Sequence, residues 1–293
     1  KSEITGMKNA DLFVAKKNER GEWERPEPLE GDFNTEFDEG IVSFSPDGQT
    51  MYLTKARRDP NVSTSVEIYT STRSDAQWSA PQKFEVIPDT LSTFGHPAVS
   101  HDGEYIYFVS NMPGGYGGKD IWRISLKERQ GSLLNLGPDI NTAGDEDFPY
   151  VRNDGTLYFS SDGHPGMGGL DIFKAIPLEN NRWQIENMRN PINSAGDDFG
   201  ITFANGENGY FRVDDAESCL YKKNPDGTET LILHLEGNTL SEVPTFHEVD
   251  ESAPVSILDF NEEDDIADDD SDIILTQEEL DKVCPRTEDS SED

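Results

Sequence analysis

One unit, repeated along the chain, limits what this sequence can fold into more than any other feature. Residues 145–175 read DEDFPYVRNDGTLYFSSDGHPGMGGLDIFKA. Phe148 to Arg152 is predicted as a half-buried strand and Asn153-Asp154-Gly155 as a tight hairpin turn. Thr156 to Ser161 is a second strand, Gly163 to Gly169 a glycine-rich loop and Leu170 to Ala175 a third strand. Asp-Gly between two alternating runs signals a hairpin, because a type I′ turn needs positive φ at both central residues. The same order of parts recurs upstream in FGHPAVSHDGEYIYFVSNMPGGYGGKDIWRI and DEGIVSFSPDGQTMYLTKARRDPNVSTSVEIYTST, and downstream in DDFGITFANGENGYFRVDDAESCLYKK. Hairpin glycines Gly48, Gly103, Gly155 and Gly206 are spaced by 55, 52 and 51 residues. The acidic residue opening the third strand, Asp11, Glu67, Asp120 or Asp171, keeps steps of 56, 53 and 51. Trp23, Trp78 and Trp183 mark a fourth strand. A four-stranded unit of about 40 to 50 residues has the period of a β-propeller blade, a small sheet whose two apolar faces must be covered by its neighbours.

The expected fold is therefore all-β, a propeller of four-stranded antiparallel blades with five blades over residues 1–236. Complete units fall at about 37–86, 94–137, 145–190 and 197–236. Residues 1–29 match only the back half of a unit, so either the chain starts mid-blade or a C-terminal segment supplies the missing strands. Between blades runs a shared linker, GDFNTEFDEG, GPDINTAGDEDF or NPINSAGDDF, whose Asn and Asp can bond their own backbone in the turn. Phe37, Phe94, Phe148 and Phe199 are expected to pack between neighbouring blades.

Charge narrows the partners. A formal net charge of −35 argues against nucleic acid and anionic lipid, which need a cationic footprint. No stretch reaches the roughly 20 apolar residues that span a bilayer, and no N-terminal signal pattern is present. From Glu236 onward there are 21 acidic and 2 basic residues, so 237–293 reads as an acidic, largely disordered tail. Residues 273–283 are a possible short helix with Thr276 as N-cap and Glu279 completing a capping box. Cys219 and Cys284 form no metal or redox motif; a disulfide holding the tail and two separate thiols both fit.

Catalytic chemistry is not signalled. His96, His101, His164, His234 and His247 lack metal-ligand spacing, although His96 begins an inner strand and is placed to face the axis. Carboxylates recur before the inner strands: Asp38 and Glu39, then Asp145, Glu146 and Asp147, then Asp197 and Asp198. Inner-strand starts meet around the axis of a propeller. These groups either converge into an acidic ring for Ca²⁺ or a basic partner segment, or cap turns. The recurrence of Asp11, Asp120 and Asp171 in blade after blade assigns them a fold role, and the glycine loops lack the strand-then-helix context of a phosphate cradle. Arg57, Arg58, Arg123, Arg152 and Arg212 are scattered, unlike the clustered arginines of a site for acidic sugars.

At Ser45-Pro46-Asp47-Gly48 to Thr54, Ser100-His101-Asp102-Gly103 to Ser110, Arg152-Asn153-Asp154-Gly155 to Ser160, and again at GGYGGKDIWRI and GGLDIFKA, the chain resembles the WD-repeat-like propellers of the TolB type. Within that group it is most similar to propeller domains of Bacteroidetes OmpA-family envelope proteins, including the PorE-like component of type IX secretion. The resemblance covers about residues 9 to 214; the acidic tail departs from the family's layout. It implies a periplasmic, outer-membrane-associated, non-catalytic scaffold that binds other envelope or secretion proteins, without a cofactor and without inserting into the membrane. The alternative is a glycan-binding or glycan-processing propeller, which requires a carboxylate pair in an axial pocket.

Overall fold

The computed structural model describes residues 10–16, 25–57, 65–74, 77–89, 91–189, 192–203, 209–214, 219–223, 229–234 and 255–258, the last four stretches by backbone alone. Trp23, Gly206, His247, Cys284 and the helix expected at 273–283 lie outside the described residues, as do the side chains of Cys219 and His234.

Five antiparallel sheets follow one another along the chain as blades of a β-propeller. In the first, β1 (Leu12–Ala15) pairs with β2 (Glu27–Pro28). The second runs β3 (Glu39–Phe44), β4 (Thr50–Arg57), β5 (Ser65–Ser74) and β6 (Gln77–Trp78), with β7 (Gln82–Lys83) also on β5. The third comprises β8 (Phe94–Val99), β9 (Tyr105–Ser110), β10 (Asp120–Ser125) and β11 (Leu134–Asn135). The fourth comprises β12 (Glu146–Val151), β13 (Leu157–Ser161), β14 (Asp171–Pro177) and β15 (Trp183–Asn187), and the fifth β16 (Asp197–Phe203), β17 (Gly209–Asp214), β18 (Cys219–Lys223) and β19 (Glu229–His234). One more strand, β20 (Val255–Leu258), pairs antiparallel with β1 on the side away from β2, Leu12 opposite Leu258 and Ala15 opposite Val255. Since β1 follows Asp11, it is the third strand of the repeat and β20 stands in place of the second. A C-terminal segment thus contributes to the first blade. Residues 255–258 fall inside the stretch that composition assigned to a disordered tail; the apolar run Val-Ser-Ile-Leu finds backbone partners on the open edge of β1, which average charge over the stretch conceals.

Strand alternation explains how the blades stack. On β4, Met51 and Leu53 pack with Leu12, Phe33 and Val42, whereas Tyr52 packs with Phe94, Ile106, Phe108 and Trp122 of the third blade. On β9, Ile106 and Phe108 face back while Tyr107 and Val109 join Leu157, Phe159 and Phe173 of the fourth. Tyr158 and Ile172 then meet Ile192 and Ile201 of the fifth. Each strand therefore feeds two cores, the period-2 consequence of a pleated sheet buried on both faces.

Two local details differ from the sequence reading. The hairpins are not type I′. Gly48, Gly103 and Gly155 donate N–H to the carbonyls of Ser45, Ser100 and Arg152, three residues back. Within these turns only the glycines have positive φ (64°, 66° and 82°), which describes a type I turn followed by a left-handed glycine. In the first two, the Asp before the glycine accepts from the Ser hydroxyl and from a backbone N–H two residues on; Asp154 of the third accepts the N–H of Thr156. Second, the inner strands begin earlier than expected, at Glu39, Glu146 and Asp197, and carry a bulge next to a residue at positive φ: Ile41, His96, Phe148 and Gly200. The recurrence of this bulge across four blades marks it as a device of the fold that tightens twist near the axis.

Candidate interaction face

The recurrent acids hold the fold. Glu39 and Glu146 are buried at 1% and 0% exposure and turn back on the linker, accepting the N–H and hydroxyl of Thr35 and Thr142. Asp198 does the same with Ser194. Burial pushes the Glu39 and Glu146 carboxyls above the ordinary glutamate range, against the lowering effect of these hydrogen bonds. Asp38, Asp145 and Asp197 each accept the N–H of the residue before the preceding blade's acidic marker: Ala10, Lys119 and Leu170. Asp120 and Asp171 gather the glycine loops by accepting from Tyr116 and Gly117, and from Met167 and Gly168. Asp11 lies just ahead of β1 at the matching place. The acids are spent blade by blade rather than pooled in a ring, and among the described residues no three His, Cys, Asp or Glu side chains are placed to share a metal ion.

Beyond forming turns, the linker asparagines clamp adjacent blades. Asn141 accepts the N–H of Ile121 (2.8 Å) and donates to its carbonyl (3.0 Å). Asn193 makes the same pair with Ile172 and Asn34 with Leu12. The repeated Ile-Asn-(Ser/Thr) at 140–142 and 192–194 was the signal for this.

One cluster is built once. Asp147, 4% exposed, occupies a position held by Gly40, Gly95 and Phe199 in the other blades. Its Oδ2 pairs with Lys119 Nζ, and its Oδ1 lies 3.2 Å from His96 Nδ1. Lys119 Nζ is also 3.2 Å from Asp145 Oδ2. Burial works to raise the Asp147 pKa, but His96 and Lys119 outweigh it and hold the carboxyl at about 2. Burial likewise opposes the charge on Lys119, and the Asp147 and Asp145 carboxylates overcome it, raising its pKa above the usual lysine value. At neutral pH Lys119 is thus protonated and Asp147 ionised, a fixed pair with no labile proton to exchange. The Phe148 N–H lies 3.3 Å from the same Nδ1, which accepts it only in the tautomer that does not donate to Asp147. The imidazole stacks on Phe148 (centroids 4.4 Å, 19°), which in turn stacks on Phe199 (4.8 Å, 27°).

This stack corrects the assumed equivalence of the four phenylalanines. Phe94 is a core residue, paired with Ser110 where Glu146 pairs with Ser161, so it stands where other blades carry the stapled acid. Phe148 sits one bulge position further along and Phe199 between the two registers, while Phe37 lies in the linker, half-buried. The other two histidines with described side chains serve local roles: His164 Nε2 bonds the carbonyl of Ile140, and His101 is exposed in a hairpin.

Between inner strands β3, β8, β12 and β16 lies a cleft of about 50 Å³ lined by Ile41, Pro97, Ala98, Phe148, Pro149 and Ile201 among others, with no carboxylate among the described residues. At ~10–15 Å³ per water it has room for a few waters and not for a sugar ring.

Because strands alternate in direction, the glycine loops and the linkers emerge on the same face of the disc and the hairpins on the opposite one. On the glycine-loop face Leu91 (76% exposed), Tyr116 (51%) and Met167 (43%) project apolar side chains into solvent. Tyr116 and Met167 are equivalent residues whose exposure follows from the bonding of their own N–H groups to Asp120 and Asp171.

No family model and no curated protein matches the chain. Among solved structures the fold is similar to TolB from Acinetobacter baumannii, at TM-score 0.51 and 13% identity over 87% of this chain and 65% of that one. Lower-scoring similarities include the nidogen/laminin complex (0.44, 13% identity, 78% of this chain and 79% of that chain) and a Mycobacterium tuberculosis puromycin-hydrolyzing peptidase (0.43, 16%, 74% and 33%). This chain spans just under two-thirds of the TolB chain. At such identities the TolB likeness is one of fold, and the two weaker ones carry no argument about activity.

Proposed function

We propose that this propeller is a non-catalytic protein-interaction module, and that its partner meets the glycine-loop face. The observation that carries this reading is the placement of Leu91, Tyr116 and Met167 on that face. Exposed apolar side chains held out by an ordered backbone suit a protein surface. The axial cleft weighs against glycan processing, since it is small and no carboxylate among the described residues lines it. The resemblance of the repeat motifs to OmpA-family and type IX propellers supplies the setting: a periplasmic, outer-membrane-associated scaffold whose partners are envelope or secretion proteins.

Photo-crosslinking residues at Tyr116, Met167 and Gln49 test this directly. The first two are expected to capture one and the same envelope protein, while Gln49, exposed in a hairpin of the opposite face, does not. Equal capture from all three positions, or turnover of a glycan or peptide substrate by the purified chain, would overturn the reading.

A further inference from the structure

A groove of about 320 Å³ opens on the hairpin face between the third and fourth blades, lined by His101, Tyr105, Tyr107, Arg123, Asn181 and Trp183 among others. Its volume falls within the range of small-ligand sites. The half-buried Arg123 is the unusual member. Its guanidinium lies 4.8 Å from the Tyr105 ring centre, and its hydrogen bonds, to the Tyr107 hydroxyl at 3.5 Å and Asn181 Oδ1 at 3.4 Å, are long. Among the described residues no carboxylate pairs with it, in a chain that holds 59 acidic and 24 basic residues. Lys174, at the equivalent position of the fourth blade, is paired with Glu186, and Arg182 at the groove edge is paired with Asp139. Asp102, also in the lining, is spent on Ser100 Oγ and the Glu104 N–H.

We infer that this groove binds an acidic side chain carried on an extended peptide segment of a partner protein, with Arg123 receiving the carboxylate. A planar guanidinium already seated on an aromatic ring loses little freedom on binding and presents a fork matched to a carboxylate. Leu178, 52% exposed on the groove wall, offers contact to an apolar neighbour of the acidic residue, which a free organic acid lacks. The occupant is assigned to a partner and not to the chain's own acidic stretch, because β20 runs in the direction of a second strand and therefore ends at the glycine-loop face, away from the groove. This surface is separate from the one proposed above and does not depend on it.

The test is calorimetric titration of the full chain with N-acetyl-Leu-Glu-Leu-amide at low ionic strength, beside its Gln analogue and N-acetylglutamate. The Glu peptide is expected to bind, with the Gln analogue and Arg123→Gln each weaker by roughly ten- to a hundredfold, the effect of one charge-assisted hydrogen bond. Asn181→Asp, on an exposed turn, sets a competing carboxylate beside Arg123 and should weaken binding similarly, which keeps the test decisive if Arg123→Gln fails to fold. Tyr116→Ser should leave binding unchanged. No heat of binding, indifference to Glu versus Gln, or wild-type affinity in Asn181→Asp would overturn the inference, and N-acetylglutamate binding as tightly as the peptide would overturn the peptide assignment.

Discussion

Asp147 shows how a single side chain departs from the repeat around it. Its folded pKa of about 2 lies below the ordinary 3.8, so the ionised form stabilises the fold. That contribution is fully present above pH 3.8 and is lost as the pH falls towards 2. The shift corresponds to roughly 2 kcal/mol. Glu39 and Glu146 act with the opposite sign: their raised values mean that protonation adds stability, present below pH 4.5 and lost as the pH rises through the folded value. Urea midpoints followed down from neutral pH should therefore rise first and fall below about pH 4. In Asp147→Asn the final fall should be shallower. Asn141→Ala removes both bonds to Ile121 inside the core and should cost about 1–3 kcal/mol, as the buried Ile121 N–H loses its partner while the carbonyl keeps the Leu136 N–H; a lowered denaturant midpoint with unchanged slope checks it. Little of this was legible in the sequence. Spacing identified Asp145, Asp147 and His96 as close to the axis, but which carboxylate meets a cation depends on a bulge at Phe148 that no local pattern announces.

The four-stranded unit was far easier to read, because two markers with one period reflect two backbone necessities: a left-handed glycine in the hairpin and an acid that organises the glycine loop. What misled was the hairpin subtype and the equivalence of the phenylalanines, since the Phe94 linker lacks the Thr-to-Glu staple and shifts the register of the aromatic relative to the strand. Within the loops, close backbone approach limits substitution. A Cβ on Gly168 would sit 1.9 Å from the Gly196 carbonyl oxygen and one on Gly117 2.3 Å from that of Thr142. Gly117→Ala and Gly168→Ala should each cost roughly 1–3 kcal/mol by overpacking. Tyr116→Ser in the same loop should stay within about 0.5 kcal/mol, being a surface change. Thermal or urea melts of the three variants separate loop architecture from loop display.

For the whole molecule, the first sheet joins residues 12–15 to 255–258 across nearly the full length of the chain. Composition concealed this, since four apolar-patterned residues are swamped by the acids on either side. A chain ending at residue 250 leaves β1 with β2 alone, and amide protection over Leu12–Ala15 should fall by at least about tenfold, or ~1.4 kcal/mol. Protection in β9 and β13, whose partners are all local, should hold. During synthesis the order of events follows from the same pairing. The second to fourth blades can assemble from contiguous segments as they emerge, whereas the N-terminal strand waits for the ribosome to deliver a partner some 240 residues later. Until then Leu12 and Ala15 belong to an unfinished edge, so a strand made early in synthesis is among the last to be completed.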